Sequence, residues 1–131
     1  MGRNAPAVTP RSAFYWGSGQ DERLRIARCQ ACGFWLHPPR PVCPICRGRD
    51  VQPEPVSGKG NVWSWTITRH RLSPGMEPPY VIALVELVEQ PCLRLITAVV
   101  GDGDTANIAI GMPVSVAFER TGDIYIPIFV P

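Results

Sequence analysis

The chain has 131 residues, 45% apolar and 18% charged, with a formal net charge of +2. That length fits one domain, or two small ones sharing an interface, and no apolar run approaches the ~18 residues of a membrane span. Met1 to Ser12 is polar and Pro-containing and lacks the apolar core of a secretory signal, so a cytoplasmic protein with reduced thiols is expected.

In chain order, residues 1–10 read as an arm ordered only by a partner, if at all. Ser12 is placed to cap a short helix through Trp16 that carries Phe14, Tyr15 and Trp16. Three adjacent aromatics cannot all face one small core. At least one meets a partner protein, or is covered by another part of the same chain. Arg23, Leu24, Arg25 and Ile26 alternate with a period of two, which predicts a strand running into Cys29.

Cys29-Gln-Ala-Cys32 and Cys43-Pro-Ile-Cys46 follow, two Cys-X-X-Cys pairs separated by ten residues. Four thiolates so spaced can close a tetrahedron around one Zn²⁺, each pair forming a knuckle that aims both sulfurs at the ion. Gly33 stands where a knuckle needs positive φ, and Pro44 stiffens the second pair. Two disulfides, or inert reduced cysteines, are the competing reading. A redox dithiol fits poorly without a βαβ unit. With four sulfur ligands the ion has no open position, which makes the site structural. Pro38, Pro39 and Pro41 forbid helix and predict a stiff extended arm between the knuckles. So few core residues leave the ribbon's shape to metal binding, which supplies about 10–16 kcal/mol in zinc-finger peptides.

Residues 47–59, with Pro53, Pro55 and Gly58, read as a linker. Five strand-like runs follow, at 62–68, 80–88, 93–100, 114–118 and 124–130. Turn signals separate them, including Gly101-Asp102-Gly103-Asp104, read as a hairpin turn or short loop because it lacks the distal ligands of a calcium loop. Pro127 pushes the last run toward an edge. The architecture is mainly β: an N-terminal arm and short helix over 1–22, a zinc ribbon over 23–50, and a small five-stranded barrel over 51–131. Residues 1–60 hold nine Arg and Lys against four Asp and Glu; residues 61–131 hold four against seven. The basic half is the ribbon half. A bound Zn²⁺ with four thiolates adds −2 and brings the protein near neutrality, which favours association.

No catalytic set stands out. His37 reads as a loop histidine, and His70, between Arg69 and Arg71, has no visible orienting partner. Cys92, the odd cysteine, reads as an inert thiol at a buried strand start. Ser64 and Ser73 lack a nucleophile-elbow context. Lys59, between two glycines, belongs to the entry of the first barrel strand. Trp63, Trp65, Arg69 and Arg71 fall on one face of a regular strand. There they suit stacking on single-stranded nucleic acid, though the barrel half lacks a sustained basic groove. An acyl-chain pocket or partner contact uses the same residues.

The pieces in this order resemble the domain of unknown function thirty-five family, acyl-CoA-associated proteins with a rubredoxin-like zinc ribbon and an OB-fold. The resemblance rests on Tyr15-Trp16 ahead of Arg23-Leu24, on Arg28-Cys29 through Gly33, and on Pro39 through Cys46. It continues in Ser57 through Ser64, Pro79-Tyr80-Val81, Val85-Glu86-Leu87, Ile110 through Val114 and Pro127 through Pro131. It runs from about residue 12 to the end.

The resemblance implies a structural zinc on Cys29, Cys32, Cys43 and Cys46. It also implies a non-catalytic accessory subunit of a thiolase-superfamily, lipid-transfer-protein-like enzyme acting on acyl-CoA. Retro-aldol or thiolytic cleavage of steroid side chains is among the reactions of such complexes, which form heterotetramers or larger assemblies. Phe14, Tyr15, Trp16, Trp35, Leu36 and Arg40 are then the expected partner interface. Arg23, Arg25, Arg28, Trp63 and Trp65 are the expected contacts to CoA or the acyl group. A single-stranded nucleic-acid-binding module is the alternative.

Overall fold

A computed structural model describes residues 5–71, 74, 77–100 and 108–131. The turn expected at Gly101 to Asp104, and Ser73, lie outside the described residues. Among those described, eight strands form a three-stranded and a five-stranded sheet, preceded by helix α1 (Ala13–Trp16) and a 3₁₀ turn (Ser18–Asp21).

The ribbon sheet is built on β1 (Arg25–Cys29), flanked antiparallel by β2 (Trp35–Leu36) and β3 (Val51–Pro55). The predicted alternation is present, but both faces are used. Leu24 and Ile26 point into the main core together with Trp35. Ala27 and Cys29 point the other way, into a small cluster with Leu36 and Cys43. One face therefore lies on the barrel while the opposite face covers the cysteine knuckles. The stretch read as a linker contains β3, whose five residues pair in register with β1 from Arg25↔Pro55 to Cys29↔Val51. Its prolines masked the strand; Pro is tolerated because β3 is an outer strand.

The barrel strands are β4 (Lys59–Thr68), β5 (Tyr80–Leu87), β6 (Arg94–Thr97), β7 (Pro113–Thr121) and β8 (Ile124–Val130). All five predicted runs are strands, in the order β6-β5-β4-β7-β8. The sheet nearly closes where Val99 bridges Phe129 in parallel. Val100 N–H donates to Phe129 O at 2.8 Å, and Phe129 N–H to Ala98 O at 2.9 Å. Pro127 sits in β8 without breaking it, and its carbonyl accepts from Thr97 Oγ1 at 3.0 Å. Gly60 permits the close approach of β4 to its neighbour β5: a Cβ there would lie 2.6 Å from the Glu86 carbonyl oxygen.

Ser12 does stand at the N-cap of α1, but its hydroxyl makes no cap bond. It accepts from Thr9 N–H at 3.0 Å instead. Tyr15 is buried, while Phe14 and Trp16 are half-buried against the core, so the aromatic cluster is covered largely by the chain itself. Two polar anchors without a sequence signal pin the pieces together, the first α1 to β1 and the second the ribbon to the barrel. Ser18 is fully buried; its hydroxyl donates to Phe14 O and accepts from Arg25 N–H, both at 3.0 Å. The Gln90 amide accepts from Trp35 N–H and donates to Trp35 O, again at 3.0 Å each. That pair imitates a strand partner for β2 and ties the ribbon to the β5–β6 connection.

Candidate metal centre

Cys29, Cys32, Cys43 and Cys46 bring their sulfurs within 4.8 Å of one another. The two knuckles repeat one geometry. Gly33 N–H donates to Cys29 O and Arg47 N–H to Cys43 O, both at 2.9 Å. Cys29 N–H donates to Phe34 O and Cys43 N–H to Gly48 O, also at 2.9 Å. Gly33 has φ 83° as expected, and Arg47 holds φ 62° at the equivalent place in the second knuckle. Backbone N–H groups are aimed at sulfur: Ile45 to Cys43 Sγ and Gly48 to Cys46 Sγ, each at 3.4 Å. Gly48 also leaves room, since a Cβ there would stand 3.2 Å from Cys46 Sγ.

The donor set fits Zn²⁺. Ligands at about 2.3 Å on tetrahedral axes put sulfurs about 3.8 Å apart. Cys29 and Cys46 sulfurs lie 3.5 Å apart, and those of Cys32 and Cys43 3.6 Å. All four cysteines are free thiols rather than disulfides. The N–H groups of Cys32 and Ala31 overcome burial and hold the Cys29 thiol down to about 6. Cys32 is drawn down by the Phe34 N–H, but burial and the facing sulfurs of Cys46, Cys43 and Cys29 push it up to about 12. Four sulfurs this close cannot all ionise without a cation between them. With every position taken by sulfur, the ion would hold the knuckles together and offer no site for substrate.

Around this centre the expected contact residues part company. Tyr15, Trp35 and Leu36 are at most 7% exposed, consumed by the two cores, which removes them from the expected partner surface. Phe14 and Trp16 keep one side accessible, and Arg40 is exposed. Arg25 grips Asp21 through two bonds of 2.9 and 2.6 Å, and that hydrogen-bonded guanidinium draws Asp21 down to about 2. Arg28 lies over the Trp35 ring at 4.5 Å and donates to Gly33 O at 2.9 Å and to Glu54 at 3.3 Å. These two arginines are thus occupied internally, whereas Arg23 is exposed and has no carboxylate partner among the described residues.

Trp63 and Trp65 do not share a face. A bulge between Val62 and Ser64 shifts the register by one. Val62 then faces inward opposite Val85, and Trp65 opposite the buried Ala83. Trp63 points out, 46% exposed, with the Arg94 guanidinium 3.6 Å over its ring. A bulge inserts one residue and inverts the parity of everything after it, so a count by twos fails. The two indoles therefore do not form a common stacking platform: Trp65 is half-buried against the core and Trp63 is capped by Arg94. Arg71 is paired with Glu77.

Cys92 is exposed rather than buried, at φ 65°, with its N–H on Glu86 at 3.0 Å. The strand begins two residues later, at Arg94, and a turn occupies the position expected to be core. His37 is half-buried, tilted against the Tyr15 ring at 5.0 Å, and burial holds its imidazole down to about 4. Burial likewise pushes the Tyr15 hydroxyl above its usual range.

Two domain profiles match the chain in succession: the rubredoxin-like zinc ribbon domain of ChsH2 over residues 16–52, and the C-terminal OB-fold domain of ChsH2 over 53–119. A probable enoyl-CoA hydratase alpha subunit of Thermomonospora curvata is 39% identical over 130 residues, 98% of this chain and 40% of the relative. A DUF35 domain-containing scaffold protein of Pyrococcus furiosus is 39% identical over 109 residues, covering 81% of this chain and 76% of its own. The 3-oxo-4,17-pregnadiene-20-carboxyl-CoA hydratase alpha subunit of Mycobacterium tuberculosis is 35% identical over 86% of this chain and 35% of its own length. The chain thus spans about two fifths of the length of the hydratase subunits it matches. Among solved structures, a chain described as Ltp2-ChsH2(DUF35) aldolase superposes with TM-score 0.86 at 38% identity, covering 97% of this chain and 98% of that one. Among the described residues no helix is long and apolar enough to cross a membrane.

Proposed function

Because this chain belongs to the ChsH2-type DUF35 family of zinc-ribbon and OB-fold proteins, we propose that it is a non-catalytic subunit of an acyl-CoA-processing complex, docked on a thiolase-superfamily enzyme of the lipid-transfer-protein-like kind. The observation that carries this reading is the end-to-end correspondence with the aldolase chain, 98% of which this chain covers. The steroid-acyl-CoA name of the mycobacterial relative supports a role in steroid degradation, and the aldolase name of the structural neighbour supports retro-aldol cleavage as the reaction of the complex. The hydratase alpha subunits that the chain also resembles are more than twice as long as the matched part. The scaffold name of the archaeal relative supports a structural role. In this reading the metal holds the ribbon rigid, the accessible sides of Phe14 and Trp16 and the Arg40 guanidinium meet the partner, and Arg23, exposed and without a carboxylate partner among the described residues, is available to an anionic group. The assembly works in the cytoplasm as a heterotetramer or larger.

The test is co-expression with a lipid-transfer-protein-like thiolase of the same host. The two chains are expected to elute together on gel filtration and to cleave a β-hydroxyacyl-CoA by retro-aldol reaction only when both are present. Separate elution, with full cleavage by the thiolase alone, would refute the reading.

A further inference from the structure

One open groove of about 460 Å³ runs along the ribbon. Its walls come from the segment entering α1, from the proline arm between the knuckles, and from β3. Phe14, Pro39 and Pro53 make it apolar, and Arg11, Arg40 and Arg49 bring three guanidinium groups to its rim. All three arginines are exposed. Among the described residues none of them has a carboxylate within ion-pair distance. The acids adjoining its lining residues in the chain are already engaged: Glu54 by Arg28 and Gln30, and Asp50 accepts from the Gln52 amide at 3.1 Å.

Three like charges gathered without counterions repel one another, and the repulsion is relieved by an incoming anion. Arginine suits planar, bidentate carboxylate. An added strand is not the occupant the groove suits, because its outer strand β3 carries Pro53 and Pro55, which have no N–H to offer. Single-stranded nucleic acid fits less well: it calls for successive stacking rings along an extended basic track, and this groove has one half-buried ring, Phe14.

We propose that this groove receives an acidic segment of the catalytic partner, its carboxylates on Arg11, Arg40 and Arg49 and its apolar residues against Phe14 and the prolines. The inference rests on the partner-subunit reading above and names the surface and chemistry of that contact. It moves the basic contact away from Arg25 and Arg28, whose guanidinium groups are held by Asp21 and Glu54.

The experiment measures affinity for the co-expressed thiolase by calorimetry at two salt concentrations, for the wild-type chain and for R11Q/R40Q/R49Q. The variant is expected to keep its zinc and its melting temperature, to bind about a hundredfold more weakly, and to lose most of the salt dependence. Should the triple variant fold poorly, Arg40→Gln alone is expected to weaken binding about tenfold. Unchanged affinity and salt slope in a folded variant overturn the inference and leave the subunit reading standing. A defect seen only when acyl-CoA is present, or wild-type binding to oligo(dT) that the variant loses, assigns the arginines to phosphate and also overturns it. A wild-type chain that forms no complex sinks both.

Discussion

The ribbon and the barrel reach a fixed shape by different routes. The described barrel residues, joined by Leu24, Ile26 and Trp35 from the ribbon, make one apolar cluster around the fully buried Phe129. Among the described residues the ribbon's own cluster buries Ala27, Cys29, Leu36 and Cys43, with Phe14, Phe34 and Val51 half-buried against it, and two of the four buried residues are candidate metal ligands. Burial can stabilise the barrel; it cannot stabilise the knuckles, whose backbone bends through positive φ at Gly33 and Arg47 to bring four sulfurs together. The two regions are nevertheless coupled, because β1 gives one face to each core. A small metal lobe thus acquires orientation by lending its apolar side chains to a larger neighbour.

Metal removal gives the largest separation between the regions. Chelation under reducing conditions, or Cys43→Ser, is expected to remove about 10 kcal/mol of stabilisation from the ribbon. Amide exchange should then rise throughout residues 25–50 while the β4–β5 amides stay protected. Equal loss in both regions would mean that the barrel cannot stand without its metal lobe.

Phe129→Ala is the converse cut. It is expected to cost about 3–5 kcal/mol, read as a lower denaturant midpoint, with zinc content unchanged. Zinc loss in that variant would show the coupling through β1 to be stronger than the separate cores suggest.

His37 sharpens the junction. Burial favours its neutral form, so the unfolded chain binds the extra proton first as pH falls. Its stabilisation is complete above the ordinary histidine value near 6.5 and is lost on descending toward about 4. At saturating zinc this accounts for about 3 kcal/mol of the stability lost between those values. Denaturant midpoints across that range should fall less steeply in His37→Gln.

The smallest test compares the knuckles with each other. Gly33→Ala forces a Cβ into a left-handed backbone and is expected to cost about 1 kcal/mol. Arg47→Gly relieves the same strain and is expected to gain somewhat less than about 1 kcal/mol. Thermal melts of the zinc-loaded variants should move in opposite directions.

Legibility followed the range of the forces. The metal centre was readable because ligand chemistry and two-residue spacing are local, and both knuckles satisfy them. The barrel strands were readable because runs such as Tyr80 to Leu87 are apolar, rich in β-branched residues and, bounded by prolines, too short for a buried helix. Misreadings arose where a nonlocal partner decided. Pro53 and Pro55 disguised β3, which exists because β1 supplies its partners. The bulge at Val62–Ser64 separated two tryptophans that a regular strand would align. Cys92 was expected to be buried and instead stands on an exposed turn.

The candidate ligands, the order of the lobes and the strands follow from local chemistry, because thiolate pairs, prolines and hydrophobic runs act on their nearest neighbours. Which aromatics stay accessible, which arginines lack a carboxylate partner and which indole turns inward are set by the folded packing. Those outcomes depend on packing and charge pairing between segments distant in the chain, such as Arg28 with Glu54 and Trp35 with Gln90.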